Sequence, residues 1–158
     1  MFLKLAATLT LALATSAATA QTKAPSWIIP DLMEGAKAEG SLNVYSSVNE
    51  QEGLPLWKEF ETATGVKVNY TRANDAALTS KIQIEARSGQ QSWDILVTTS
   101  VTRLPPALRA QIDPPEAAAI PAPMRDPDRR WFGVYANYNT PAYNTNLVKL
   151  DKPPRDFE

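Results

Sequence analysis

The chain has 158 residues, 16 of them basic and 17 acidic, with no histidine and no cysteine. Those two absences remove Ser-His-Asp and Cys-His nucleophilic catalysis, zinc sites built on imidazole or thiolate, and disulfides. What is left is the oxygen chemistry of carboxylates, hydroxyls, amides and phenols, and a formal charge of −1 argues against a nucleic-acid partner, which calls for a basic face.

The first stretch, MFLKLAATLTLALATSAATAQ, carries one cation at Lys4, an apolar run from Leu5 to about Ala14, and small residues ending Ala18-Thr19-Ala20. This order predicts a secretory signal peptide over residues 1–20, cut after Ala20. A membrane span would need roughly 20 strongly apolar residues, and this run is shorter and rich in alanine and threonine. Export to a periplasm or to the cell exterior is therefore expected, without a lipid-bearing cysteine. Residues 21–158 suffice for one domain with a sizeable core.

A short helix is predicted over Ile29 to Gly40, with Pro30 at its start, Leu32, Met33 and Ala36 on one face, and Gly40 as its stop. LNVYSS, Leu42 to Ser47, alternates as a strand, setting Leu42, Val44 and Ser46 against Asn43, Tyr45 and Ser47. A second helix follows. Asn49 and Glu52 form its capping box, Leu56, Phe60 and Ala63 are its apolar face, and Gly65 ends it. Pro55 belongs in the first turn of that helix, or marks its true start.

The rhythm repeats in VKVNYT, Val66 to Thr71, a strand alternating Val66, Val68 and Tyr70. Asn74 or Asp75 caps a third helix with Leu78, Ile82 and Ala86 on one face and Gly89 at its close. WDILVTTS, Trp93 to Ser100, is apolar enough for a strand buried on both faces. Strand-helix-strand-helix-strand with short connections predicts an α/β fold with a mainly parallel sheet, right-handed crossovers and helices on both faces.

Between Leu104 and Asp128 there are seven prolines. They exclude a long helix, although VTRL and PALRAQ suit a turn or two, and the segment reads as a surface excursion. Arg125, Arg129 and Arg130, interleaved with Asp126 and Asp128, read as a solvated loop. From Arg130 the sequence RWFGVYANYNTPAYNTNLV is aromatic and β-branched enough for an extended strand, which Pro141 confines to an edge, bulge or bend.

Open α/β sheets bind ligands outside the carboxyl ends of their strands, and here those ends are polar. The first runs Ser46, Ser47 and on to Asn49; the second reaches Thr71, Asn74 and Asp75; the third closes on Thr98, Thr99 and Ser100. The helices that follow point their N-termini at the same crevice, which suits an anion or a hydrogen-bonding solute. The same residue types are also ordinary helix caps. The candidate ligand contacts are Ser46, Ser47, Asn49, Asn74, Thr98, Thr99, Ser100 and Tyr138, with no catalytic or metal-binding residue among them.

The segments AKAEGSLNVYSS, LWKEFETATGVKVNY, LTSKIQIEARSGQQSWDILVTTS and WFGVYANYNTPAYNTNLV, in that order and spacing, resemble the amino-terminal lobe of solute-binding proteins that serve ABC importers. The resemblance is to the iron(III)-type group of the class II periplasmic binding fold. It implies two α/β lobes with a ligand between them, this chain supplying the first lobe over residues 21–158 and only the beginning of the second. A hinge or crossover strand would lie near residues 134–148, where Tyr138 and Tyr143 offer a rigid body with a hydrogen-bonding tip, while Asn137, Asn139 and Asn144 bond neighbouring backbone around Pro141. The ligand implied is a small solute, a ferric complex or another anion, delivered to an ABC permease in the inner membrane with no cofactor and no bond chemistry. In iron binders of this type a histidine follows the first strand and a glutamate the third. The matching positions here are Asn49 and Thr99, and the paired tyrosines of that group would belong to the second lobe.

Two other readings stay open on the residues alone. One is an exported α/β enzyme using carboxylate or tyrosine chemistry, with Asp75 or Glu50 as the acid of raised pKa it requires. The other is a lone lobe acting as an interaction module.

Overall fold

The computed structural model describes residues 25–138, together with 140, 142–147 and 149. The signal peptide predicted over residues 1–20, and the bend assigned to Pro141 with its neighbour Asn139, lie outside the described residues. No helix among the described residues is long and apolar enough to cross a membrane.

Three strands and three helices alternate: α1 (Pro30–Glu39), β1 (Ser41–Ser46), α2 (Glu50–Thr64), β2 (Lys67–Arg72), α3 (Asp75–Arg87) and β3 (Ile95–Val97). The strands form a parallel sheet in the order β2-β1-β3, so the predicted α/β lobe is the observed architecture. The register aligns Val44 with Tyr70 and Ile95, and Tyr45 with Thr71 and Leu96. Adjacent parallel residues share a face, and α3 and α2 pack on different faces. On the Tyr45 side, α3 packs Leu78 and Ile82, both fully buried, with Tyr45, Trp93 and Leu104. On the Val44 side, α2 lies over Tyr70, with Gly53 at the contact.

Local chemistry explains where the helices begin and end. Asn49 accepts a hydrogen bond from the Glu52 N–H at 3.1 Å and Asn74 from the Ala77 N–H at 2.9 Å, each satisfying a free donor of a first turn. Gly40 and Gly65 stop α1 and α2 in the left-handed conformation, at φ 79° and 76°.

Several sequence expectations give way to packing. Pro55 sits in the second turn of α2, not the first, because the helix begins at Glu50; its missing N–H falls on an exposed face. The inward face of α2 is not Leu56, Phe60 and Ala63: Leu56 is 62% exposed and Ala63 is exposed, whereas Gly53 and Thr64 are buried. Tyr70 decides this. A Cβ on Gly53 would stand 2.3 Å from the Tyr70 hydroxyl, so only the glycine face can approach the sheet. Leu32 of α1 is likewise exposed.

In β1, Val44, Tyr45 and Ser46 are all buried, since the strand is central and covered on both faces. The third strand is shorter than Trp93 to Ser100 and only half-buried. It pairs on one side only among the described residues.

The proline-rich segment contributes short 3-10 turns over Val101–Arg103, Pro106–Leu108, Pro115–Ala119 and Ala122–Met124. It is more than a surface excursion, because Leu104 enters the core and Leu108 packs against it. The arginine cluster is not merely solvated either. Arg125 donates to the Ala117 carbonyl at 2.9 Å, Arg130 to the Arg109 carbonyl at 2.7 Å, and Arg129 pairs with Asp113 at 2.7 Å. The first two supply partners for a backbone that prolines have left without a ladder. The strand expected from Arg130 onward does not form among the described residues. Its only pairing is the antiparallel bridge of Phe132 with Arg125, and the later residues are exposed, Val134 at 74%. Aromatic and β-branched side chains suit a strand, but a strand also needs a neighbour.

Candidate functional site

All three strands point their carboxyl ends the same way, and the polar residues there separate into two groups. The first is a closed knot around Asp75, the first residue of α3. Thr98 donates its hydroxyl to Oδ1 at 2.5 Å, Thr99 donates its hydroxyl to Oδ2 at 2.6 Å, and the Thr99 N–H reaches Oδ1 at 3.2 Å. Burial alone would raise the pKa of Asp75. The hydroxyls of Thr98 and Thr99 and the Thr99 N–H outweigh it, holding the carboxyl at about 2. Ser100 joins the knot through its N–H, which donates to the Thr98 hydroxyl at 3.1 Å.

The second group is open. A cleft of about 530 Å³ lies beyond β1 and β2, lined by Ser47, Val48 and Asn49 after β1, Glu52 of α2, Arg72 at the end of β2, and Tyr135 and Asn137 of the carboxyl-terminal stretch. Its floor is held by Tyr70, whose hydroxyl donates to the Val48 carbonyl at 2.8 Å. The Ser46 hydroxyl, buried beneath, accepts the Val48 N–H at 3.1 Å and fixes the same turn. The ion pairs among the described residues join Lys58 to Glu61, Lys81 to Glu85 and Arg129 to Asp113. Arg72 takes part in none of them.

The eight candidate residues from the sequence thus fall in different places. Ser47 and Asn49 line the cleft, although the Asn49 side chain also caps α2 and the Ser47 hydroxyl turns toward the Val97 carbonyl at 3.4 Å. Ser46 lies under the cleft. Asn74 caps α3, and Thr98, Thr99 and Ser100 belong to the Asp75 knot. Tyr138 is 91% exposed and is not a wall of the cleft.

Sequence reasoning missed Glu52, Arg72 and Tyr135 as lining residues and gave Asn137 only a backbone role. The signal for Arg72 is its place as the last residue of β2, at the same polar strand ends that carry the hydroxyl and amide candidates. Tyr135 was not findable, because its place depends on how a chain without regular structure folds back. Among the described residues no group of three or more acidic side chains could hold a metal ion.

No protein-family model matches the chain. Iron uptake protein A1 of Synechocystis is 29% identical over 116 residues, which cover 70% of this chain and 32% of that protein. Among solved structures, the Trichodesmium protein described as IdiA or FutA in complex with iron and citrate ligands superposes with a TM-score of 0.51 at 28% identity, covering 60% of this chain and 31% of its own. Ferric iron-binding protein A of Mannheimia haemolytica, in an open conformation, gives 0.50 at 30% identity, covering 60% and 30%. This chain spans about a third of the length of these proteins. Over the matched part it is similar, in sequence and in its parallel α/β sheet, to the iron-type periplasmic binding proteins.

Proposed function

We propose that this chain is the substrate-binding component of an ABC importer, exported to the periplasm, and that it supplies one wall of a ligand cleft closed by a second lobe. The cargo is a small solute, a ferric complex or a related anion, captured by lobe closure and handed to a permease without bond chemistry. The hinge is assigned near residues 134–148, the stretch that contributes Tyr135 and Asn137 to the cleft lining. The observation that carries this reading is the open cleft at the carboxyl ends of β1 and β2, in a chain whose relatives are named for iron uptake and ferric iron binding.

An enzyme of the same fold would need an acid of raised pKa in the crevice. Asp75, one of the two carboxylates that could serve, is held at about 2 and is saturated by hydroxyl donors, which favours the transport reading. Thermal melts of the chain against ferric citrate, sulfate, phosphate, spermidine and a panel of sugars test it. A ligand that binds only the native state must raise Tm, and ferric citrate is expected to do so. Turnover of a substrate by a chain that none of these solutes stabilises would overturn the proposal.

A further inference from the structure

The open cleft has one strong polar feature that neither helix capping nor the fold accounts for. Arg72 ends β2, where pairing with Ser46 fixes its backbone, and it lines the cleft without joining any ion pair found among the described residues. A guanidinium presents a rigid fork of donors that matches a carboxylate. The carboxylate sharing the cleft, Glu52, stands in the first turn of α2, where the positive end of the helix offsets its charge. Glu50 stands in that same turn. Tyr135 and Asn137, which also line the cleft, are uncharged and able to hydrogen-bond. Arg72 with these hydrogen-bonding groups beside it suits the oxygen-rich part of a cargo.

We propose that Arg72 is the specificity-determining residue of the cleft, selecting a multivalent carboxylate, free or as the chelating part of a metal complex, by charge-assisted hydrogen bonds. The inference rests on the solute-binding reading above. It predicts opposite effects from two neighbours: removing the Arg72 charge weakens binding, and removing the Glu52 charge strengthens it. A purely structural role for either residue would not change sign in this way.

The test is an amide NMR titration of the labelled chain with metal-free citrate, with glucose as the uncharged control, repeated on Arg72→Gln and Glu52→Gln and followed by ferric citrate on all three. Citrate is expected to shift the amides of Ser47, Val48, Asn49 and Tyr135, and glucose is not. Arg72→Gln should raise the citrate Kd about tenfold with the rest of the spectrum intact, as loss of a charged hydrogen bond implies; Glu52→Gln should lower it. Citrate binding that is unchanged in Arg72→Gln, or absent from the unsubstituted chain, overturns the assignment. If ferric citrate still binds in that event, the importer reading stands. If citrate binds through Arg72 while ferric citrate does not, the carboxylate selectivity stands and the ferric cargo falls.

Discussion

The two helices that cover the sheet differ in how they hold it, and the difference separates structure from candidate function. On one face, α3 buries Leu78 and Ile82 completely and ties its first residue, Asp75, to the end of β3 through two threonine hydroxyls. On the other, α2 rests on a glycine, leaves Leu54 and Leu56 exposed, and lets its first turn open onto the cleft. Both helices start at the carboxyl ends of strands with an asparagine cap. One end is consumed by the protein, and the other holds Arg72, which joins no ion pair among the described residues. A polar residue at a strand end is therefore a ligand candidate only after its partners within the fold have been counted.

This contrast can be broken at its strongest point by Leu78→Ala. Deleting a fully buried leucine costs about 2–5 kcal/mol, read as a lower urea midpoint, and the loss should far exceed that from Leu56→Ala on the exposed side of α2. Next in size is Gly53→Ala. Its Cβ would overlap the Tyr70 hydroxyl, and overpacking of this kind costs about 1–3 kcal/mol. Because Tyr70 also holds the Val48 carbonyl, the same variant should disturb the cleft amides.

Asp75→Ala sharpens the comparison from the closed side. Removing the shared acceptor of Thr98 and Thr99, one half-buried and the other exposed, costs about 1 kcal/mol, while citrate binding at Arg72 persists. Acid gives the same information without mutation. The folded pKa of Asp75 is depressed below the ordinary 3.8 to about 2, so its contribution is complete above the ordinary value and is lost as pH falls through about 2. Urea midpoints between those limits should fall less steeply in Asp75→Ala than in the unsubstituted chain. The smallest effect belongs to Tyr138→Ala, at a side chain 91% exposed, where stability should stay within about 0.5 kcal/mol. A larger loss would mean that Tyr138 packs against something.

The sequence by itself determined the order of the elements, the parallel α/β plan, the cap at Asn49, a cap at Asn74 or Asp75, and the glycine stops at Gly40 and Gly65. Each of these is set by residues within one or two turns of each other, so local composition carries the signal. It also placed the buried face of α3, where Leu78 and Ile82 recur at helical spacing. What only the tertiary structure decided depends on partners far along the chain. Tyr70 reaches across to Gly53 and turns α2 onto a face its hydrophobic spacing did not indicate. Thr98 and Thr99 are spent on Asp75, more than twenty positions earlier. Tyr135 and Asn137 line the cleft while Tyr138 is exposed, and among the described residues the strand expected there has no neighbouring strand to pair with. Hydrogen-bond satisfaction is counted over the whole fold, so no stretch read alone reveals which polar groups remain free to bind something else.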